Sequence, residues 1–145
     1  MRIIIEELPD GEEEEIIIRT NGMDSDIMEL IYAVKAGRSR ITAFTQDGLI
    51  KLDSKEIFYF ESVDNKVYAC CEKSVYEVKE KLYELEKIYE NTDFVRISKA
   101  MIVNVSKINK IVPMFNGRLE AALTNGEKAV ISRQYVPELK KKLGI

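Results

Sequence analysis

The sequence predicts an α+β fold that is mainly antiparallel β, on three observations. From residue 41 onward, short segments rich in β-branched and aromatic residues alternate with turns that contain Gly, Asn or Asp, as in strands joined by hairpins. Three further segments carry helical apolar spacing or helix-starting signals. The length of 145 residues fits one domain with a small extension.

Residues 1–40 are predicted to form this extension, with a hairpin followed by a helix. Segments 3–8 and 15–20 each contain an Ile-Ile-Ile triplet, and Pro9-Asp10-Gly11 between them has strong turn chemistry. Asp24 or Ser25 can cap a helix that ends before Gly37. Its apolar face, at i, i+3, i+4 and i+7, consists of Ile27, Leu30, Ile31 and Val34.

Residues 41–145 are predicted to form a β-rich domain. Five strands come first, at 41–45, 49–52, 57–62, 66–71 and 75–78. A helix over 79–90 follows, with an apolar stripe that favours core packing. The later β-rich segments are 94–105, 108–115, 118–124 and 128–132, with type I′ turns at Asn116-Gly117 and Asn125-Gly126. Pro137 fits the first turn of a closing helix, 137–143.

The composition argues against an enzyme. The chain has no histidine, which removes the usual general base and the commonest metal ligand, and it has no nucleotide-binding or metal-binding motif. Cys70 and Cys71 are adjacent, so we expect two reduced thiols on opposite faces of a strand. From the missing histidine and motifs, we expect no catalytic residues, metal or cofactor. The acidic N-terminal stretch is neither a signal peptide nor a membrane span, so we expect a cytoplasmic protein.

The formal net charge of −3 conceals a gradient along the chain. Residues 1–45 and residues 46–93 each carry a net charge of −5, whereas residues 94–145 carry ten basic and three acidic side chains, a net charge of +7. A positive region on an acidic protein suggests a polyanionic partner. On charge alone, a solvated lysine-rich C-terminal helix is an equally good explanation.

The order and spacing of several segments resemble the LytTR DNA-binding domain family over about two thirds of the chain. The matching segments are IFYFES with the turn VDNK, KEKLYELEKIYENTDF, FVRISKAMIVNVSKI, FNGRLEAALTNGEKAVISR and SRQYVPELKKKL. The resemblance implies an elongated antiparallel β fold with short helices in residues 41–145. It further implies a transcriptional regulator that binds paired repeats in double-stranded DNA and inserts loop residues into successive major grooves.

The resemblance also implies which residues contact bases. Asn65 or Lys66 matches the position that enters the groove after IFYFES, Lys99 matches the contact in RISKA, and Arg133 matches an arginine in SRQYV. Ser98 and Ala100 depart from the histidine and serine that the family commonly has there. The residue chemistry agrees, because bidentate Arg and amide side chains recognise base edges.

Five other cations in the basic third are candidates for phosphate contacts, with a solvated surface as the alternative for each: Arg96, Lys107, Lys110, Arg118 and Lys128. Asn104 follows an apolar run and is expected to be a hydrogen-bonding scaffold rather than a base-reading group.

The family domain usually follows a receiver domain, and residues 1–40 are too short to form one. We therefore expect a stand-alone LytTR protein that is response-regulator-like only in this domain, controlled by its abundance or by a regulatory partner protein. The extension could form a homodimer contact or pack on its own sheet. The alternative function is a non-enzymatic adaptor that keeps the fold but binds protein or ligand.

Overall fold

The structure, a computed structural model, describes residues 1–37 and 40–145. The chain forms two compact units, Met1–Ala36 and Gly37–Ile145. None of the helices in the described residues is long and apolar enough to cross a bilayer.

A helix, α1 (Ser25–Gly37), forms where the sequence predicts one, and all of it except its last residue belongs to the first unit. The Ile27 N–H donates to the Asp24 carboxylate Oδ1 at 3.0 Å, so Asp24 is the residue that caps the first turn.

The predicted hairpin in this unit is wrong, because no strand forms within residues 1–37. Only the turn is present, where the Glu12 N–H donates to the Pro9 carbonyl oxygen at 3.3 Å. Both isoleucine triplets are solvent-exposed for most of their length. An isolated two-stranded hairpin is marginally stable in water, and the four consecutive glutamates of residues 12–15 repel one another.

The second unit is built on a seven-stranded antiparallel sheet. The bounds of its first five strands agree with the prediction to within one residue at each end. A simple meander, in which each strand would pair with the next, is wrong, because the first strand pairs with the fifth and the second lies at the edge of the sheet. The predicted segment 94–105 divides into two strands, because residues 99 and 100 form a turn. The strands are β1 (Arg40–Thr45), β2 (Gly48–Asp53), β3 (Ile57–Val63), β4 (Lys66–Cys71), β5 (Val75–Val78), β6 (Phe94–Ser98) and β7 (Met101–Asn104). They lie side by side in the order β2-β1-β5-β4-β3-β7-β6.

A three-stranded antiparallel sheet follows, in the order β10-β9-β8. Its strands are β8 (Ile108–Pro113), β9 (Leu119–Leu123) and β10 (Lys128–Ile131). Asn116 and Gly117 have φ of 65° and 74°, the left-handed values that the predicted type I′ turn requires. The type I′ prediction is wrong for the next turn, since Gly126 has φ of 90° but Asn125 has no positive φ.

Two helices cover the sheets. The predicted helix 79–90 is shorter, α2 (Leu82–Ile88), because the Lys81 N–H donates to Glu84 Oε1 at 3.0 Å and so caps the helix one turn later. The closing helix is α3 (Val136–Leu143), with Pro137 in its first turn and Gly144 at φ 74° ending it.

Adjacent residues of the large sheet contribute to two different cores, one on each face. Ile57, Ile102 and Leu85 of α2 belong to the first, and Phe58, Val103 and the small sheet belong to the second. Since side chains alternate across a strand, one run of apolar residues serves both cores. The sheet therefore holds the turns at its ends in fixed positions.

Candidate nucleic-acid interface

The turn between β3 and β4 carries the first base-reading candidates. Asp64 and Asn65 have φ of 51° and 63°, and Val63 pairs with Lys66 across the turn. A two-residue turn of this kind needs residues that tolerate left-handed backbone, which gives Asp64 and Asn65 a structural reason to be present. Asn65 and Lys66 are nevertheless exposed, so their side chains are available to a ligand.

Lys99 lies on the turn between β6 and β7 and is exposed. The backbone N–H of Ala100 donates to the Ser98 hydroxyl oxygen at 3.2 Å. The Ser98 hydroxyl oxygen therefore helps to close the turn, and Lys99 is its one charged side chain.

Arg96 stabilises the same turn from within the protein. Its Nε donates to the Ser98 carbonyl oxygen at 2.6 Å, and its Nη2 donates to the Lys99 carbonyl oxygen. Its Nη1 lies 3.1 Å from Glu86 Oε2, and the Arg96 side chain is only 17% exposed. Two of these three bonds hold carbonyl oxygens of the Lys99 turn, so Arg96 shapes this turn and its guanidinium is less available for the predicted phosphate contact than the exposed cations are.

The two turns lie at the same end of the large sheet. Strand β3 pairs with β7, with Glu61 opposite Met101, and the Ser62 N–H donates to the Ala100 carbonyl oxygen at 2.8 Å. Neighbouring strands are about 4.8 Å apart. The sheet therefore brings Asn65 and Lys66 close to Lys99, although more than thirty residues separate them along the chain.

Arg133 joins this end of the protein through a contact between the two sheets. Directly before it, the Ser132 N–H donates to the Ile97 carbonyl oxygen at 2.9 Å. This bond attaches the end of β10 to β6 immediately before the Lys99 turn. Arg133 itself begins a short 3-10 helix, Arg133–Tyr135, and is exposed.

The tip of the β8–β9 hairpin packs beside Arg133. A Cβ atom placed on Gly117 would lie 3.0 Å from Arg133 Cδ and 3.2 Å from its Cγ. The aliphatic part of Arg133 thus lies against the Gly117 backbone. We call the resulting set of turns the loop row, which comprises residues 64–66, 99–100, 115–118 and 133–135.

Arg118 is the one predicted phosphate residue that lies in the loop row. It is exposed, and its Nε donates to the Phe115 carbonyl oxygen at 3.4 Å. Lys107 lies elsewhere, after the far end of β7, with its Nζ 5.1 Å from the centroid of the Phe58 ring.

Lys110 and Lys128 are also outside the loop row. Both pair with Ala122, so they share the outer face of the small sheet. Lys128 Nζ lies 3.7 Å from Glu120 Oε1, and both lysines are exposed. The structure therefore separates three of the five predicted phosphate residues from the base-reading candidates.

Asn104 is a scaffold residue, as predicted. It is 2% exposed, and its Nδ2 donates to the Ile57 carbonyl oxygen at 2.9 Å. Its Oδ1 accepts from the Ser106 N–H at 3.1 Å and from the Ser106 hydroxyl at 2.7 Å. All these partners are internal, so the side chain has no free surface for DNA.

Phe115 and Asn116 are loop-row residues that sequence reasoning did not name as site candidates. Phe115 is 83% exposed, and Asn116 is exposed beside it. The Asn-Gly pair indicated a turn, but its position beside Arg133 depends on how the two sheets pack. An aromatic residue directly before a hairpin turn was the available signal.

The two cysteines are free, as expected, with Cys70 buried and Cys71 half-buried. Burial raises the pKa of the Cys70 thiol to about 11, and burial also raises the pKa of Cys71. Within residues 1–37 and 40–145, no three metal-binding side chains cluster.

An open groove of about 940 Å³ lies between α2 and α3. Aromatic and charged side chains line it, and Arg96 is among them. Representative lining residues are Tyr83, Glu86, Phe94, Tyr135 and Lys141.

The fold and the loop row define a class of protein: a small antiparallel β domain that presents basic and amide side chains from turns. The LytTr DNA-binding domain family matches residues 47–144, and the chain belongs to this family. A solved LytTr DNA-binding domain from Bacillus cereus is similar over 74% of this chain and 98% of its own, with 31% sequence identity and a TM-score of 0.69.

Several relatives are similar in sequence. The sensory transduction protein LytT of Bacillus subtilis is 30% identical over 123 residues, which are 85% of this chain and 51% of that protein. Its namesake in Enterococcus faecalis is 33% identical over 114 residues, 78% of this chain and 47% of that protein. The chain thus spans about half the length of these relatives.

A Staphylococcus aureus protein is 31% identical over 94 residues, which are 65% of this chain and 63% of that protein. It is named as an uncharacterised HTH-type transcriptional regulator. The loop row described above contains no recognition helix, since its members lie on turns and on two 3-10 segments of three residues each, Phe115–Gly117 and Arg133–Tyr135.

Proposed function

We propose that the protein is a sequence-specific transcriptional regulator that binds double-stranded DNA through the loop row. Asn65 or Lys66, Lys99 and Arg133 contact base edges, and Arg118 contacts phosphate beside them. The observation that carries this proposal is the arrangement of the loop row. The pairing of β3 with β7 and the bond between Ser132 and Ile97 bring these turns to one end of the domain.

The chemistry of these side chains suits base contacts. A guanidinium can donate two parallel bonds to guanine O6 and N7, an asparagine amide can pair with adenine N6 and N7, and lysine can donate to guanine. Turns at strand ends can enter a groove while the sheet stays outside it. The turns at the two ends of the loop row, 64–66 and 133–135, would then enter successive major grooves.

The remaining basic residues add affinity rather than specificity in this proposal. Lys110 and Lys128 on the outer face, and Lys107 at the far end of β7, contact phosphates only if the duplex bends around the domain. Their alternative is a solvated surface, with Lys128 paired to Glu120.

We propose further that the protein acts as a homodimer on paired repeats. The support is the first unit, where the isoleucine triplets are mostly exposed and α1 carries an apolar stripe. A protein that begins at Arg40 should be monomeric by light scattering. An unchanged dimer would remove this role from residues 1–39. The alternative is that a regulatory partner protein, and not a second copy of this chain, binds the same exposed residues.

Selection from a random duplex pool tests the proposed function and supplies the operator. A paired motif is the expected result. Arg133→Ala should then weaken binding to the selected site by roughly 1–3 kcal/mol if Arg133 contacts a base. Equal binding by this variant and the wild type would contradict the proposed base contact of Arg133.

The second candidate function is a non-enzymatic adaptor that binds a protein or ligand, and the groove of about 940 Å³ between α2 and α3 favours it. Pool selection separates the two functions, since an adaptor should return no enriched motif.

A further inference from the structure

Phe115 is an exposed aromatic side chain that the proposed base contacts leave without a role. It lies at the tip of the β8–β9 hairpin and is 83% exposed. A single exposed apolar residue is ordinary on a protein surface. The position of Phe115 next to a proposed base-reading arginine is what distinguishes it.

The backbone of the tip is fixed in place. Asn116 and Gly117 both have left-handed φ, and the Met114 N–H donates to the Arg118 carbonyl oxygen at 2.8 Å. The Phe115 carbonyl oxygen accepts from Arg118 Nε. The backbone of Phe115 is thus held by the turn, whereas its ring is free to contact a partner.

The same tip supports Arg133. The aliphatic part of Arg133 lies against Gly117, which is two residues after Phe115 in the chain. If the Arg133 guanidinium binds a base in the major groove, the hairpin tip beside it reaches the same groove and can bring the Phe115 ring to a neighbouring base pair. The apolar group at that depth of the groove is the C5-methyl of thymine.

We propose that Phe115 contacts the methyl group of a thymine next to the base that Arg133 reads, so that the hairpin tip determines specificity at this position. The inference rests on the proposed function and adds an apolar contact to its polar ones. Contact of the ring with deoxyribose alone would add affinity without a preference for thymine.

The test replaces one thymine of the selected site at a time by deoxyuridine, which lacks only the C5-methyl group. Wild-type protein should bind one of these duplexes about fourfold more weakly, which is the effect of losing one buried methyl group. Phe115→Ala should bind the thymine and uracil duplexes equally. The two changes should therefore be coupled rather than additive.

Val75→Ala serves as the matched control. Val75 is 62% exposed and begins β5, where it pairs with Cys70 at the end of β4 away from Lys66. This variant should keep the wild-type preference for thymine. Circular dichroism should be native-like for both variants, because neither side chain is part of a core.

Two results overturn the inference alone: binding by the wild type without discrimination at any thymine, and discrimination that Phe115→Ala retains. A wild-type protein that binds no duplex overturns the proposed function and this inference together. Retained discrimination with an affinity that Phe115→Ala lowers by the same factor on the thymine and uracil duplexes would indicate that the ring contacts a sugar.

Discussion

The side-chain amide of Asn104 donates a hydrogen bond to the carbonyl oxygen of Ile57 at 2.9 Å and joins residues 47 positions apart. Asn104 ends β7, and Ile57 begins β3, so the bond fixes these two neighbouring strands at the end of the sheet opposite the loop row. The scaffold and the proposed DNA contacts thus occupy opposite ends of the same strands.

Asn104→Ala should lower the free energy of unfolding by about 1–3 kcal/mol, because it leaves the buried Ile57 carbonyl oxygen and the Ser106 groups without a partner. Chemical denaturation measures the change. Asn109→Ala, on an exposed residue of β8, should have little effect. Equal stability of the two variants would contradict a structural role for Asn104.

Arg96→Ala should weaken binding to the selected site about tenfold or more, because the carbonyl oxygens of Ser98 and Lys99 lose their donors and the Lys99 turn loses its shape. Arg96→Lys keeps the charge but loses the planar fork, so it should bind almost as weakly. The salt dependence of binding should stay near the wild-type slope, since no phosphate contact is removed.

Glu86→Gln provides the control for Arg96. It removes the charge partner but leaves both carbonyl contacts, so affinity should change little. A reduced salt slope in Arg96→Ala would instead indicate that Arg96 contacts phosphate.

Gly117→Ala should weaken DNA binding, because the new Cβ would meet the Arg133 side chain at 3.0 Å. Gly126→Ala is the matched control, since Gly126 also has left-handed φ, of 90°, but nothing lies within 4 Å of its Cβ position. Both variants should lose about 1 kcal/mol of stability from backbone strain. Only Gly117→Ala should lose affinity in a fluorescence anisotropy titration, and equal affinities would refute the contact.

The Cys70 thiol should resist alkylation in the native protein near pH 8. Burial raises its pKa to about 11, so almost none is thiolate, and burial also limits access. A raised folded pKa contributes stability below the unfolded pKa of about 8.5, and this stability is lost as pH rises towards 11. Mass spectrometry after iodoacetamide treatment measures the modification, and rapid native labelling of Cys70 would refute the prediction.

Binding should weaken steeply with salt. A protein that neutralises about six phosphates should lose on the order of a thousandfold in affinity between 50 and 200 mM salt. If only the loop row contacts phosphate, as the positions of Lys107, Lys110 and Lys128 suggest, the slope should be smaller. Triple substitution of these lysines by glutamine would then leave the slope nearly unchanged.

Local patterns predicted most of the second unit because its turns have clear chemistry. Strand β4 and strand β5 were predicted residue for residue, and Asp64-Asn65 and Asn116-Gly117 have the left-handed backbone that such pairs favour. The first unit was predicted less well. Isoleucine triplets favour strands, but a hairpin needs a third strand or a helix to cover it.

The sequence supplied the individual site candidates, but it could not predict how they are arranged in space. The adjacency of Lys99 and Asn65 depends on β3 pairing with β7, a contact between distant segments. Arg96 looked like a free cation because nothing in RISKA indicates that its side chain turns inward. Phe115 was overlooked because its importance depends on the packing of Gly117 against Arg133.

The alternation of core residues along β3 and β7 has a consequence for how such a domain can change its target. Ile57 and Phe58, or Ile102 and Val103, face two cores at once, so these strands tolerate little variation. The exposed turns make few contacts that the cores require. A new operator preference could therefore arise by exchanging a few turn residues, while the folding of the domain stays the same.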